Sequence, residues 1–89
     1  MKLYLVSRTD LCGYDEYDSF VVAAESEINA LKWHPNGQKK EDISEYMEGD
    51  ITSPYFYYGW TKNLYVQVEY IGESNSLVEK VIISSFNAG

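Results

Sequence analysis

The clearest constraint on the fold is the alternation of side chains in residues 64–71. One side of this segment is apolar and the other is mixed, the two sets being Leu64, Val66, Val68 and Tyr70, and Tyr65, Gln67, Glu69 and Ile71. A period of two is typical of a β-strand with one buried face. The segment therefore predicts a strand in a sheet that has one covered and one open face.

Three other segments predict strands, because they are rich in aromatic and β-branched residues and show the same period. They cover residues 2–7, 19–24 and 81–86. The first two strands are joined by a polar loop and are expected to pair antiparallel. A turn at residues 72–75 separates the last two, so we expect strands three and four to pair in the same way.

A helix is expected between the second and third strands. Ser26 is a suitable N-cap, and Glu27 follows it in the first turn, where the helix dipole favours a negative charge. Pro35 and Gly37 are expected to end the helix. The side that faces the sheet is predicted to contain Ala24, Ile28 and Leu31.

Residues 38–63 have no clear period except a thin helical stripe over 42–48, where a short second helix is expected. The sequence therefore predicts an α+β fold: a four-stranded antiparallel sheet in β-β-α-β-β order, with one main helix packed on one face and an irregular insertion at 38–63. A chain of 89 residues is too short for a second core, so we expect a single domain, 1–89.

The first residues and the cysteine count indicate a cytoplasmic protein. The apolar run at residues 3–6 is too short for a signal peptide or a membrane span. Cys12 is the only cysteine, so one chain can form neither an internal disulfide nor a cysteine-based zinc site. We expect no membrane contact, no metal and no cofactor.

Acidic residues dominate the charge and are clustered. The formal net charge is -7, and nine of the 14 acids lie in residues 10–18 and 41–50. This charge would repel a phosphate backbone, so direct binding of nucleic acid is not expected. The clusters can form a solvated surface that aids solubility, or a patch that meets a basic protein.

Tyrosine is unusually frequent, with nine among 89 residues. The aromatic residues outside the strands can pack the core, or they can form a contact surface, because Tyr and Trp provide large, rigid apolar area. Acids interleave with them in residues 14–18, as apolar anchors inside a negative rim would require. The predicted partner-binding residues are Tyr14, Asp15, Glu16, Tyr17, Asp18, Glu45, Tyr46, Glu48, Asp50, Tyr55, Tyr57, Tyr58 and Trp60.

The residues available for catalysis do not form a recognisable set. His34 is the only histidine, and it lies where the predicted helix ends, a position typical of a dipole partner or a packed side chain. Cys12 lies among carboxylates, which disfavour a reactive thiolate. We therefore expect a protein that is not an enzyme. The less favoured hypothesis is an enzyme that uses His34 together with Cys12 or a carboxylate.

Several short stretches carry a resemblance: residues 1–8, 13–19, 24–26, 34–37 and 81–89. They resemble a group of small uncharacterised proteins encoded by bacteriophages and prophages. The resemblance implies a protein that acts in the host cytosol. By analogy with phage anti-defence proteins, including anti-CRISPR inhibitors, it implies occlusion or nucleic-acid mimicry, in which carboxylates pair with lysines and arginines of a host nuclease complex.

The leading functional hypothesis is a small acidic inhibitor or adaptor of phage origin that binds a host defence protein with a basic surface. The alternative is a small-ligand or nucleotide sponge that stacks its ligand on aromatic rings, with Lys39, Lys40 and Lys62 gathered at a pocket. A homodimer is also possible on this sequence, because apolar residues are expected on the second face of the sheet. They are Tyr65, Ile71, Ile82 and Phe86.

Overall fold

The computed structural model describes residues 1–10, 16–42, 60–61 and 65–87, and these form a four-stranded antiparallel sheet with one short helix. The strands are β1 (Lys2–Arg8), β2 (Glu16–Ala24), β3 (Val66–Glu73) and β4 (Lys80–Asn87). Each overlaps one of the predicted strands, because alternating side chains do lie on opposite faces of the sheet. The prediction of a small α+β fold is confirmed.

The strands lie in the order β3-β1-β2-β4 across the sheet. β1 and β2 pair antiparallel as expected, with Leu5 opposite Val21. The predicted pairing of the third strand with the fourth is wrong. β3 pairs with β1, whereas β4 pairs with β2, so that the last two strands form the opposite edges of the sheet.

The segment between β3 and β4, residues 74–79, explains this arrangement, and we call it the connection loop. A chain of this length spans up to about 20 Å, whereas the two edge strands lie about 14 Å apart. Ser74 N donates to Met1 O at 2.8 Å, and Glu25 N donates to Glu79 Oε2 at 3.0 Å. These bonds hold the loop against the ends of the two central strands, so the chain crosses the sheet instead of turning back on β3.

The covered face of the sheet carries the core. The register places Tyr4 opposite Val22 and Val6 opposite Phe20, so these four side chains point to one side. All four are buried, and the cluster is completed by Ala24, Ala30, Trp33 and Trp60. The intervening positions, among them Leu5 and Val21, point to the other side, which we call the open face.

The helix is much shorter than predicted. α1 covers only Glu27–Ala30, although Ser26 caps it as expected, its Oγ accepting a hydrogen bond from Asn29 N at 3.1 Å. Ile28, predicted to face the sheet, is 72% exposed. The helix ends well before Pro35, because the buried Trp33 leaves the helical path and forms an isolated β-bridge with Lys39.

Most of the predicted insertion at 38–63 lies outside the described residues. Within it, Lys40–Asp42 form a 3-10 turn, and Trp60 and Thr61 are buried. The predicted helix over 42–48 also lies outside them, apart from Asp42.

Candidate contact surface

Arg8, the last residue of β1, organises the first acidic segment. Its Nε and Nη2 donate to the two carboxylate oxygens of Asp10 at 2.6 and 3.1 Å. Its Nη1 donates to Glu16 Oε2 at 3.0 Å and to Tyr17 O at 3.2 Å. Only 6% of the Arg8 side chain is exposed. The guanidinium therefore pairs with two acids of this segment and joins the end of β1 to the start of β2.

Asp10 also binds the segment to residues 60–61. Thr61 Oγ1 donates to Asp10 Oδ2 at 2.6 Å, and the Arg8 guanidinium lies 6.0 Å from the centre of the Trp60 ring. Burial opposes ionisation of Asp10, but hydrogen bonds from Arg8 and Thr61 outweigh it and lower the pKa of Asp10 below its ordinary value. The cluster is thus an internal ion-pair network. Its acids, Asp10 and Glu16, pair with Arg8 within the chain.

Four of the predicted partner-binding residues lie in the described part of the chain. Trp60 is 2% exposed, so the expectation that it is an exposed anchor is wrong: its ring packs edge to face on Phe20, with 5.4 Å between ring centres. Glu16 belongs to the Arg8 network, and Asp18 accepts a hydrogen bond from Ser19 Oγ at 3.0 Å.

Tyr17, the fourth of these residues, is half-buried between two other rings. It meets His34 and Phe86 edge to face, with ring centres 5.8 and 4.8 Å apart. The described members of the predicted set therefore serve largely internal contacts. The other predicted residues lie outside the described part of the chain: Tyr14, Asp15, Glu45, Tyr46, Glu48, Asp50, Tyr55, Tyr57 and Tyr58.

His34 is fully buried and belongs to a hydrogen-bonded turn. Asn36 N donates to His34 Nδ1 at 3.0 Å, and His34 N donates to Gln38 O at 2.8 Å. Ser84 Oγ of β4 donates to Pro35 O, which fixes the turn on the sheet. An imidazole that accepts a backbone N–H in this way contributes to the turn. Cys12, considered with it for catalysis, lies outside the described residues.

The connection loop presents two apolar side chains to solvent. Leu77 is 93% exposed and Val78 is 62% exposed. The loop is held by its own serines, since Ser76 N donates to Ser74 Oγ at 3.0 Å and Ser76 Oγ donates to Val78 O at 2.6 Å. An apolar anchor on a fixed loop loses little conformational entropy when a partner binds it.

Two carboxylates share a cleft with Leu77. Glu25 and Glu73 are exposed, and they line a cleft of about 430 Å³ beside the loop. The rest of its lining is Met1, Lys2, Ser76 and Leu77. The cleft therefore combines an apolar wall with two carboxylates and two amino groups, those of the Lys2 side chain and of the Met1 N-terminus, which donates to Ser74 O at 3.2 Å.

The start of α1 extends the same surface. Asn29 Nδ2 donates to Glu79 Oε2 at 3.0 Å, which fixes α1 to the connection loop, and Ile28 is exposed beside them on α1. Burial opposes ionisation of Glu79, but the hydrogen bonds from Glu25 N and Asn29 outweigh it and lower the pKa of Glu79. We define the loop surface as Glu25, Ile28, Glu73, Leu77 and Val78.

Sequence reasoning did not identify the loop surface. The only feature of the sequence that indicates this surface is the pair Leu77-Val78, two adjacent apolar residues after a polar run of Ser and Asn. No period accompanies them, because a loop has none. Exposed apolar residues with polar neighbours are nevertheless typical of interaction sites.

The lysines expected to form a nucleotide pocket are not seen to gather in the described residues. Lys39 Nζ lies 5.7 Å from the centre of the Trp33 ring, and Lys40 begins the 3-10 turn. Lys62 lies outside the described part of the chain. The lining of the cleft beside the connection loop contains no aromatic ring on which a base could stack.

Two kinds of feature are absent from the described residues. No three His, Cys, Asp or Glu side chains come together there as ligands for a metal ion. None of the helices found there is long and apolar enough to cross a membrane.

Comparisons with known protein families, with curated proteins and with solved structures found no match for this chain.

Proposed function

We propose that this chain is a small acidic inhibitor or adaptor that binds another protein through the loop surface. One observation carries the proposal: Leu77 and Val78 are exposed on a hydrogen-bonded loop, and Leu77 lines a cleft together with the exposed residues Glu25 and Glu73. Apolar anchors at the centre of a charged rim are typical of protein interfaces, in which the anchors provide most of the affinity.

The chemistry of the loop surface defines its partner. Leu77 and Val78 would enter an apolar pocket, and the glutamates would face lysines or arginines at its border. The net charge of -7 supports a basic partner, since opposite charges accelerate encounter and disfavour acidic competitors. The same charge argues against direct binding of nucleic acid.

The resemblance to phage and prophage proteins adds a setting to this proposal. In that setting the chain acts in the host cytosol and blocks a host defence protein. Occlusion is better supported than nucleic-acid mimicry, because the most exposed residues of the loop surface are aliphatic. Mimicry would require a row of carboxylates spaced like phosphates, and Glu25 and Glu73 are only two.

The first experiment is capture of a partner from host lysate with a tagged chain, followed by purification of that partner and measurement of Kd. In the variant Leu77→Ser/Val78→Ser, we expect Kd to rise about tenfold or more, since truncating central anchors has effects of this size. The matched control is Tyr65→Ser, which removes an exposed apolar side chain at the other end of β3. Its Kd should be unchanged.

Charge is tested separately with Glu25→Gln/Glu73→Gln. We expect weaker binding at low salt and a smaller difference at high salt, because exposed charge pairs are screened. Glu41→Gln/Asp42→Asn makes the same change of net charge on the 3-10 turn and is the control. If both loop-surface variants bind the purified partner like the unmodified chain, the loop surface is not the contact.

A thermal-shift assay with a panel of nucleotides tests the sponge alternative. A ligand at 100 times its Kd stabilises a protein by about 2.7 kcal/mol, which raises Tm measurably. We expect no shift with any nucleotide. A shift that is lost in Lys39→Ala but kept in Leu77→Ser/Val78→Ser would support the sponge and contradict the proposed function.

A further inference from the structure

The open face of the sheet carries a continuous apolar row. Leu5 of β1 lies opposite Val21 of β2, and Val21 lies opposite Ile83 of β4. Three side chains from neighbouring strands therefore lie side by side. Ile83 is 65% exposed, although it stands at the end of an apolar row.

Each outer strand carries a further exposed isoleucine at an irregularity in its pairing. In the pairing of β1 with β3, Ile71 has no residue opposite it, and in the pairing of β2 with β4 the same holds for Ile82. Such an extra residue is a β-bulge, which re-aims a side chain. Both isoleucines are 47% exposed. Exposed isoleucines thus lie on both outer strands, whereas Leu5 and Val21 on the central strands are half-buried.

The charged residues of this face are arranged in a self-complementary way. Glu69 lies opposite Leu5 at the β3 edge, and Lys80 lies opposite Ala23 at the β4 edge. The face therefore has one negative and one positive edge. Asp18, another carboxylate of β2, accepts a hydrogen bond from the neighbouring Ser19 Oγ.

We propose that a second copy of this chain covers the open face. Two sheets packed face to face align their strands and lie about 10 Å apart. A two-fold axis parallel to the strands places β3 of one copy over β4 of the other. Glu69 of each copy then faces Lys80 of the other, and the apolar rows meet between them. About 7 Å along the strand separates the rows of Glu69 and Lys80, which long side chains bridge by leaning along the strand.

The charge distribution favours a second copy over a basic protein on this face. Two chains of net charge -7 repel each other, so association is favoured at a face where the local charge is balanced. Glu69 and Lys80 balance each other, so a basic partner gains little there. The inference is independent of the proposed function, which uses the loop surface at the end of the sheet.

The size of the face predicts a reversible dimer. Four strands are about 19 Å wide, and seven residues of strand are about 24 Å long, which gives a projected area on the order of 450 Å². A standard interface buries about 800 Å² on each partner. We therefore expect the average mass to depend on protein concentration.

Sedimentation equilibrium of the full chain tests the proposal. We expect the mass to rise from 10.3 kDa towards twice that value as concentration increases. Ile83→Asp should remain monomeric, whereas the control Leu77→Asp, at an exposed position off this face, should dimerise like the unmodified chain. Equal Tm values for the two variants would show that folding is retained.

Charge reversal tests the orientation of the two copies. Glu69→Lys makes the net charge less negative, so general repulsion alone predicts tighter association. We expect association to weaken about tenfold instead, because two cations then face each other. Lys80→Glu should weaken it likewise, and Glu69→Lys/Lys80→Glu should restore it, with the original net charge.

Three results would overturn the proposal. The first is a monomer at every concentration up to about 1 mM, near the limit of weak association. The second is a dimer that survives Ile83→Asp. The third is a double charge reversal that fails to restore association. Loss of dimerisation with an unchanged Kd for the partner captured by the loop surface would separate this inference from the proposed function.

Discussion

Arg8 and Asp10 form a two-pronged ion pair, with Nε to Oδ1 at 2.6 Å and Nη2 to Oδ2 at 3.1 Å. Parallel hydrogen bonds of this kind are stronger than single ones and fix the relative orientation of the two groups. The pair closes the start of the segment between β1 and β2. Because Arg8 is nearly buried, its charge depends on Asp10 and Glu16 for compensation.

The first prediction concerns the neutral variant Asp10→Asn. We expect it to lower the free energy of unfolding by about 1.5 kcal/mol, the lower end for hydrogen bonds to charged groups, because Asp10 is partly exposed and water screens the pair. Urea denaturation would measure the change. Asp42→Asn, which removes a carboxylate from the exposed 3-10 turn, should change stability by less than about 0.5 kcal/mol. Equal losses in the two variants would show that the pair contributes nothing specific.

The second prediction is a loss of stability in acid. The pKa of Asp10 and that of Glu79 are lowered in the folded chain below their ordinary values of 3.8 and 4.5. The folded state therefore binds fewer protons than the unfolded state in this range, and stability falls as pH falls through these values. Urea denaturation between pH 7 and pH 3 would show it. Asp10→Asn should flatten the curve, and a curve of unchanged slope in that variant would contradict the assignment.

The third prediction concerns the link between α1 and the connection loop. Glu79→Ala removes the acceptor for Glu25 N and Asn29 Nδ2, and should destabilise the chain by about 1 kcal/mol. Glu79→Gln keeps an acceptor oxygen and should retain most of the stability. Amide hydrogen exchange at Glu25 gives a local readout, since its N–H should exchange faster in Glu79→Ala. An unchanged rate would mean that this bond does not persist in solution.

The fourth prediction concerns the bulge in β3. Gly72 follows Ile71 there with φ 155°, and an added Cβ would meet nothing within 4 Å. Gly72→Ala therefore tests the backbone alone, and should lower the free energy of unfolding by about 1–2 kcal/mol. Gln67→Ala, at an exposed position of the same strand, is the control and should have a small effect. If the two variants have equal stability, an L residue adopts this backbone conformation without strain.

The sequence predicted the elements of this fold better than their arrangement. Alternation at residues 64–71 reflects which side chains face the core, a local property, and β3 followed from it. Ser26 was identified as an N-cap because capping also depends only on neighbouring residues. Which strand lies beside which depends instead on the path of the connection loop. That path is stabilised by the hydrogen bond that Ser74 N donates to Met1 O and the one that Glu25 N donates to Glu79, and both join residues that are distant in sequence.

The interaction surface was predicted from composition, and composition does not show which side chains are exposed. Acids interleaved with tyrosines look alike whether they face solvent or a buried arginine. Glu16, predicted as part of a negative rim, pairs with Arg8, and Trp60, predicted as an apolar anchor, is buried in the core. Leu77 and Val78 were missed because nothing in a loop sequence states whether an apolar side chain points inward. Only the three-dimensional path decides that.

The crossing of the connection loop has a consequence for folding kinetics. β1 pairs with β3 on one side, and the pairing of Lys2 with Glu73 closes a very long loop. The pairing of β1 with β2 on the other side closes only a short loop. We expect the β1–β2 hairpin to nucleate folding, and the two outer strands to dock afterwards as a linked unit. Chains rich in such distant pairings fold in milliseconds to seconds. During that interval both edges of the β1–β2 hairpin are unpaired, and the folding chain is then most exposed to proteases and to misassembly.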